Sequence, residues 1–140
     1  MSTTNMIETA MTEALGRFLD VDVARYKLIS VNLANIDTPG YRTRDLDFRA
    51  ELCRAAEDSE SGNFGTGNPG EDRRLLAASY TPVVHQVRGL IERPDGNDVS
   101  VERESLLLAE TQMKFNLGIQ LLKDQFHTIS LAINSGGTAS

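Results

Sequence analysis

The chain has no tryptophan, a single cysteine and no surplus of positive charge, and each shortage removes a class of protein. With Cys53 as its one thiol, an intrachain disulfide framework is impossible. Fourteen basic residues against 20 acidic ones leave a net charge of -6. No local Lys/Arg cluster offsets it, which argues against a nucleic-acid or anionic-membrane surface. No run approaches the roughly 20 apolar residues of a membrane span. The stretch from Met1 to Asp20 has neither a basic opening nor a continuous apolar core, so a cleaved secretory signal is not expected. Aromatics make up only 6% of the residues, a poor endowment for a dense globular core. At 140 residues there is room for one domain.

Catalytic groupings are missing too. Neither His85 nor His127 has a second ligand at metal-binding spacing. Cys53 stands beside Arg54 with no histidine near enough in sequence to activate it. Asp45 and Asp47 alternate with arginines, which reads as a solvated, ion-paired segment and not as an acid/base dyad. The glycine-rich "GNFGTGNPG" lacks the lysine of a phosphate loop. No enzyme, metal or cofactor is expected.

What is present is periodicity. A first helix is predicted over about 3–36, with Leu15, Leu19, Asp22, Tyr26, Ile29, Leu33 and Ile36 at alternating spacings of four and three. That is a heptad seam. Ser100 is a good N-cap for a second helix over 100–133, and Glu102 and Glu104 complement its positive end. Leu108, Phe115, Ile119, Leu122 and Phe126 continue the heptad spacing and form the expected intrachain seam. The first helix ends at "DTPGY", where Pro39 stops it and Gly40 supplies the positive φ of a Pro-Gly turn. A turn and extended segment is expected over 37–56, a flexible loop over 57–70, and an extended arm or hairpin over 80–99 around Val83, Val84 and Val87. The loop carries four glycines and a proline between Glu57 and Gly70 and buries too little apolar surface to order itself. The expected class is therefore mainly α: two long antiparallel helices as a coiled-coil-like hairpin, with a mobile middle and a short β arm.

The second helix bears a further apolar row, Leu106, Met113, Leu117, Leu121 and Leu131. At about 100° per residue it lies roughly 150° around the axis from the seam. The first helix can cover one row, and nothing else in the chain is apolar enough to cover the other. An interface to another subunit is the natural occupant. A monomeric bundle with the middle folded over as a third element is the alternative. Burying one Leu or Phe contributes roughly 1.5–3 kcal/mol, so the second row is a substantial association drive. An isolated chain is then expected to be incompletely ordered at its ends and to order on assembly.

Two motifs carry a resemblance. "NLANIDTPGYRTRDLDF", Asn32 to Phe48, resembles the N-terminal signature of bacterial flagellar rod and hook proteins, and the continuation through Arg42, Arg44, Asp45, Asp47 and Phe48 is similar to the proximal rod type. "DGNDVSVERE", Asp95 to Glu104, resembles the element preceding that family's C-terminal helix. The motif residues are Asn32, Asn35, Thr38, Pro39, Gly40, Tyr41, Asp45, Phe48, Asp95, Gly96 and Asn97. The resemblance implies a structural subunit of the basal-body rod, stacking with sibling rod proteins into a drive shaft between membrane ring and hook. It implies a ring-adaptor subunit and the flagellar type III export apparatus as further partners, and a periplasmic rod location reached without a cleaved signal. It also suggests an export signal at Phe48 and Leu52. The other class open to such a hairpin is a soluble helical adaptor or binding module.

Overall fold

A computed structural model describes residues 3–60 and 81–136, and its architecture is mainly helical. Helix α1 spans Thr3–Ala34, strand β1 Arg44–Leu46, helix α2 Phe48–Glu60, strand β2 Val84–Gln86 and helix α3 Val101–Gly136. α1 and α3 pack antiparallel. Asn32 meets Glu104, Arg25 meets Glu110, and Phe18 and Leu19 meet Gly118, so positions descend on one helix as they rise on the other.

α1 ends two residues before the expected Ile36. After Val31 its bonds tighten to the shorter i→i+3 pattern, Ile36 N–H to the Leu33 carbonyl and Thr38 N–H to the Asn35 carbonyl, before Pro39 removes the next donor. At Thr38–Tyr41 the chain reverses, with Tyr41 N–H donating to the Thr38 carbonyl at 3.2 Å and Gly40 at φ +73°. No L side chain adopts that φ without strain.

Two parts of the expected layout differ. The segment 37–56 is not extended throughout, because from Phe48 it is helical. Asp47 is the N-cap of α2: its carboxylate accepts from Ala50 N–H at 3.0 Å, and "FRAEL" then propagates with good helix formers. The loop expected over 57–70 begins inside this helix, which runs to Glu60; its remainder lies outside the described residues. The arm after Thr81 takes the extended form, one of the two expected for it, and does not hairpin on itself. β2 pairs antiparallel with β1, Arg44 opposite Gln86 and Leu46 opposite Val84, and Val87 N–H extends the ladder to the Thr43 carbonyl.

The interior is small and unusually polar. Among the described residues only Val21, Ile29, Leu46 and Val99 are buried large apolar side chains, against Asp22, Asn32, Thr43, Asp45, Glu51, Asn97, Asp98, Glu104 and Thr111. The deepest line on α3 is therefore Glu104, Thr111 and Gly118, seven residues apart, and not the apolar row expected there. Leu108, Ile119 and Leu122 flank that line half-buried, while Phe115 and Phe126 are 37% and 56% exposed. At Gly118 the helices come too close for a larger residue: a Cβ would stand 2.8 Å from Leu19 Cδ2 and 3.1 Å from Phe18 Cδ1. Among the described residues no helix is long and apolar enough to cross a membrane.

Candidate functional site

The two motifs meet at the base of the helix pair and interlock. Asn97 is fully buried, and its amide donates to three carbonyls at the end of α1: Asn35 at 2.9 Å, Ile36 at 3.1 Å and Thr38 at 2.8 Å. These carbonyls lie just past the end of α1, where the Asn35 and Thr38 oxygens also accept from Thr38 and Tyr41 N–H. The Arg93 guanidinium adds a second donor to the Ile36 carbonyl. Asn97 is itself held by its loop, donating N–H to Asp95 Oδ1 at 3.0 Å and accepting from Val99 N–H at 2.8 Å. Gly40 N–H donates to the Asp95 carbonyl at 2.9 Å, and a Cβ on Gly96, at φ +82°, would lie 3.4 Å from Gly40 Cα. The two turns thus touch glycine to glycine. Pro39 is exposed and contributes its fixed φ.

Asn32 forms the second clasp. Its Nδ2 donates to the Arg44 carbonyl at 2.7 Å and to Glu104 Oε2 at 3.0 Å, and its Oδ1 accepts from Tyr41 Oη and Arg44 N–H, both at 3.1 Å. Both donors and both acceptor sites of the amide are satisfied out of water. One side chain therefore ties α1, β1 and α3 together. Asn35 plays a local part: its amide bonds the Val31 carbonyl and its oxygen accepts from Thr38 Oγ1.

The carboxylates complete the joint. Asp98 Oδ1 accepts from Thr43 N–H at 2.6 Å and Thr43 Oγ1 at 2.8 Å, and Arg42 stands 3.5 Å from Oδ2 while forking onto Glu92. Burial pushes the Asp98 carboxyl upward, but the Thr43 bonds and Arg42 outweigh it and leave its pKa below the usual 3.8. Asp45, expected to be solvated, is buried instead, because Arg25 from α1 and Arg103 from α3 converge on it at 3.3 and 2.8 Å. Arg103 also reaches the fully buried Glu104. Phe48 opens α2 with its ring edge-on to Phe18, centroids 5.4 Å apart, and with Lys114 Nζ 4.4 Å above it. Leu52, one turn on, is half-buried.

Thr43, Asp98, Arg25 and Arg103 are the members of this joint that sequence reasoning overlooked, and Glu104, read from sequence only as a complement to the helix end, joins them. Asp98 follows Asn97 in the motif itself, and Thr43 sits at the alternate position of the Arg42-Thr43-Arg44 run that a strand turns inward, so both left a trace. Arg25 left none. The apolar row behaves differently from the joint: Leu106, Met113, Leu117, Leu121 and Leu131 are 70, 74, 55, 42 and 56% exposed. Among the described residues no group of His, Cys, Asp and Glu is arranged to hold a metal ion.

The joint is a clamp between chain segments, and the chain that forms it is similar in sequence to known proteins. No family model matches the chain. It is 32% identical over 114 residues to the flagellar basal body rod protein FlgB of Cereibacter sphaeroides, covering 78% of this chain and 82% of that protein. It is 28% identical over 122 residues to FlgB of Salmonella typhimurium, covering 84% and 88%, and 26% identical to FlgB of Escherichia coli K12 over the same span and shares. The chain therefore belongs to the FlgB family of flagellar basal body rod proteins, and is a structural subunit and not an enzyme.

Proposed function

We propose that the chain occupies the proximal rod and stacks there, with copies of itself and sibling rod proteins, into the drive shaft that carries torque from the membrane ring to the hook. The observation that carries this reading is the exposed apolar row of α3. Leu106, Met113, Leu117, Leu121 and Leu131 lie on a helix 36 residues long, roughly 54 Å at about 1.5 Å per residue, whose other side is already occupied by α1. A stripe of that length is more than a monomer keeps in water and is what a coiled-coil-like subunit offers to its neighbours. On this reading Leu108, Phe115, Ile119, Leu122 and Phe126 divide between the intrachain seam and its rim, and the ring-adaptor subunit and other rod proteins cover the outer row.

The location that follows is the periplasmic rod, reached through the type III export apparatus. The Phe48–Leu52 pair is its export signal in this scheme. Phe48 packs against Phe18 in the fold, so the signal is fully open to the export gate before folding and half-buried afterwards.

Replacing the chromosomal copy with a Met113→Glu, Leu117→Glu double variant tests the proposal. The expected result is a normally expressed chain absent from purified basal bodies and a non-motile cell. Gly40→Val probes the joint in the same assay: a β-branched residue resists the φ of +73°, so the helix ends should splay and assembly stop. Full motility of either variant, or recovery of the wild-type chain only as a discrete soluble complex, overturns the reading.

A further inference from the structure

One buried cluster takes no part in the joint. Midway along the helix pair Asp22 of α1 and Thr111 of α3 line one cleft, 1% and 2% exposed, and among the described residues neither Asp22 oxygen nor Thr111 Oγ1 has a hydrogen-bond partner. They floor a cleft of about 390 Å³ walled by Val23, Tyr26, Gln112 and Phe115. A buried carboxylate without a donor is costly, and native structures rarely keep one idle. The nearby cations of the chain are already engaged. Arg25 is held by Asp45 and lies 3.8 Å from Glu110, and Lys114 bonds Glu110 at 2.6 Å and lies over the Phe48 ring.

We propose that this cleft receives a lysine or arginine side chain from a helix of a neighbouring rod subunit, its aliphatic stem on Tyr26 and Phe115 and its charged head at Asp22 and Thr111. This rests on the reading of the chain as a rod subunit. The chemistry of the floor selects the occupant. Its three idle atoms are two carboxylate oxygens and a hydroxyl, with Glu110 adding negative charge beside them. A group with several N–H donors and a positive charge satisfies all three, whereas an apolar side chain would seal the carboxylate away unpaired and an anion would be repelled. The walls suit the rest of such a residue, since long basic side chains lay their methylenes along apolar and aromatic surface. Tyr26 and Gln112 at the mouth are exposed, so their rotamers exchange freely before the partner arrives. Burial, opposed by Lys114 and Arg25, leaves the Asp22 carboxyl at about 6, so it is charged and receptive at neutral pH.

Asp22→Asn tests this because it keeps the shape and removes the charge. In the isolated chain its melting temperature at pH 7.5 should equal or exceed the wild type. In cells carrying it as the sole copy, its amount in purified basal bodies, measured by quantitative mass spectrometry, should fall about tenfold or more. Tyr26→p-benzoylphenylalanine, photolysed in assembled rods, should crosslink to a neighbour's helix beside a lysine or arginine. Converting that residue to glutamate should be rescued by Asp22→Lys. Wild-type incorporation of Asp22→Asn overturns the proposal, as does a crosslinked helix without a basic residue. A parallel loss of melting temperature and incorporation also overturns it, since that marks a structural role. If the wild-type chain itself is missing from basal bodies, the rod reading fails first and the proposal falls with it.

Discussion

The base of the helix pair and its outer flank are opposite solutions to one problem. At the base, Asn32, Asn97, Asp98, Asp45 and Glu104 bury polar groups and supply each with a partner from within the chain. Along α3 beyond Thr111, Met113, Leu117, Leu121 and Leu131 are exposed, with none of the described segments over them. The base is closed by its own side chains and the flank is exposed. Polar clamps hold their geometry because a broken bond exposes an unsatisfied group, which fixes the angle at which the helices leave the joint. Apolar surface is indifferent to angle and adapts to whichever neighbour arrives. A subunit that must enter a lattice in one orientation has reason to use the first for itself and the second for others.

The largest expected effect breaks the base. Asn97→Ala removes the donor shared by the Asn35, Ile36 and Thr38 carbonyls and leaves the buried Val99 N–H without its acceptor, and should cost about 2–3 kcal/mol in urea unfolding of the isolated chain. A loss below about 1 kcal/mol would show that water replaces the amide freely and that the joint is not the stable half of the comparison.

Gly118→Val comes next. Its side chain would press on Leu19 and Phe18 where a bare Cβ already reaches 2.8 Å, and overpacking of this kind costs about 1–3 kcal/mol. Retention of wild-type stability would mean that the helices separate there without penalty, so that the ordered contact ends nearer the base.

Asp22→Asn should act in the other direction. Burial raises the Asp22 pKa from 3.8 to about 6, so between those values the folded chain binds more protons than the unfolded one, and the contribution of this group to stability falls as pH rises. Asparagine removes that loss. The variant should be more stable than wild type by about 1–2 kcal/mol at pH 7.5, with the advantage fading as pH drops through 6 and vanishing below about 4 in a series of thermal melts. An advantage that persists at low pH would trace to packing and not to charge.

The smallest effect on stability sharpens the contrast most. Leu117→Glu alters a side chain 55% exposed and should change isolated-chain stability by no more than about 0.5 kcal/mol, while lowering recovery in basal bodies severely. A large loss of stability in the dilute monomer would show that the flank is already covered by its own chain.

Some features were legible because their causes lie within a few residues. Pro39 and Gly40 dictate the turn between them, Ser100 caps α3 through its own first-turn amide at Arg103, and a 3.6-residue period announces both long helices. α2 was legible in principle: Asp47 before a run of Ala, Leu, Glu and Arg is a start signal, obscured by the charge alternation that precedes it. The line Glu104, Thr111, Gly118 was not, since a search for apolar periodicity passes over residues that reach the interior by being small or hydrogen-bonded.

By itself the sequence determined two long helices, the turn that ends the first, and a second apolar row along the C-terminal helix. Only the tertiary structure decided who answers whom. Asn97 seals a helix that ended about sixty residues earlier, Arg25 finds Asp45 across twenty, and Asp22 finds no hydrogen-bond donor among the described residues. The reason is physical: turns, caps and periods are set by neighbours along the backbone, whereas pairing a buried donor with its acceptor depends on where distant segments cross, and that crossing is chosen by the whole set of bonds at once.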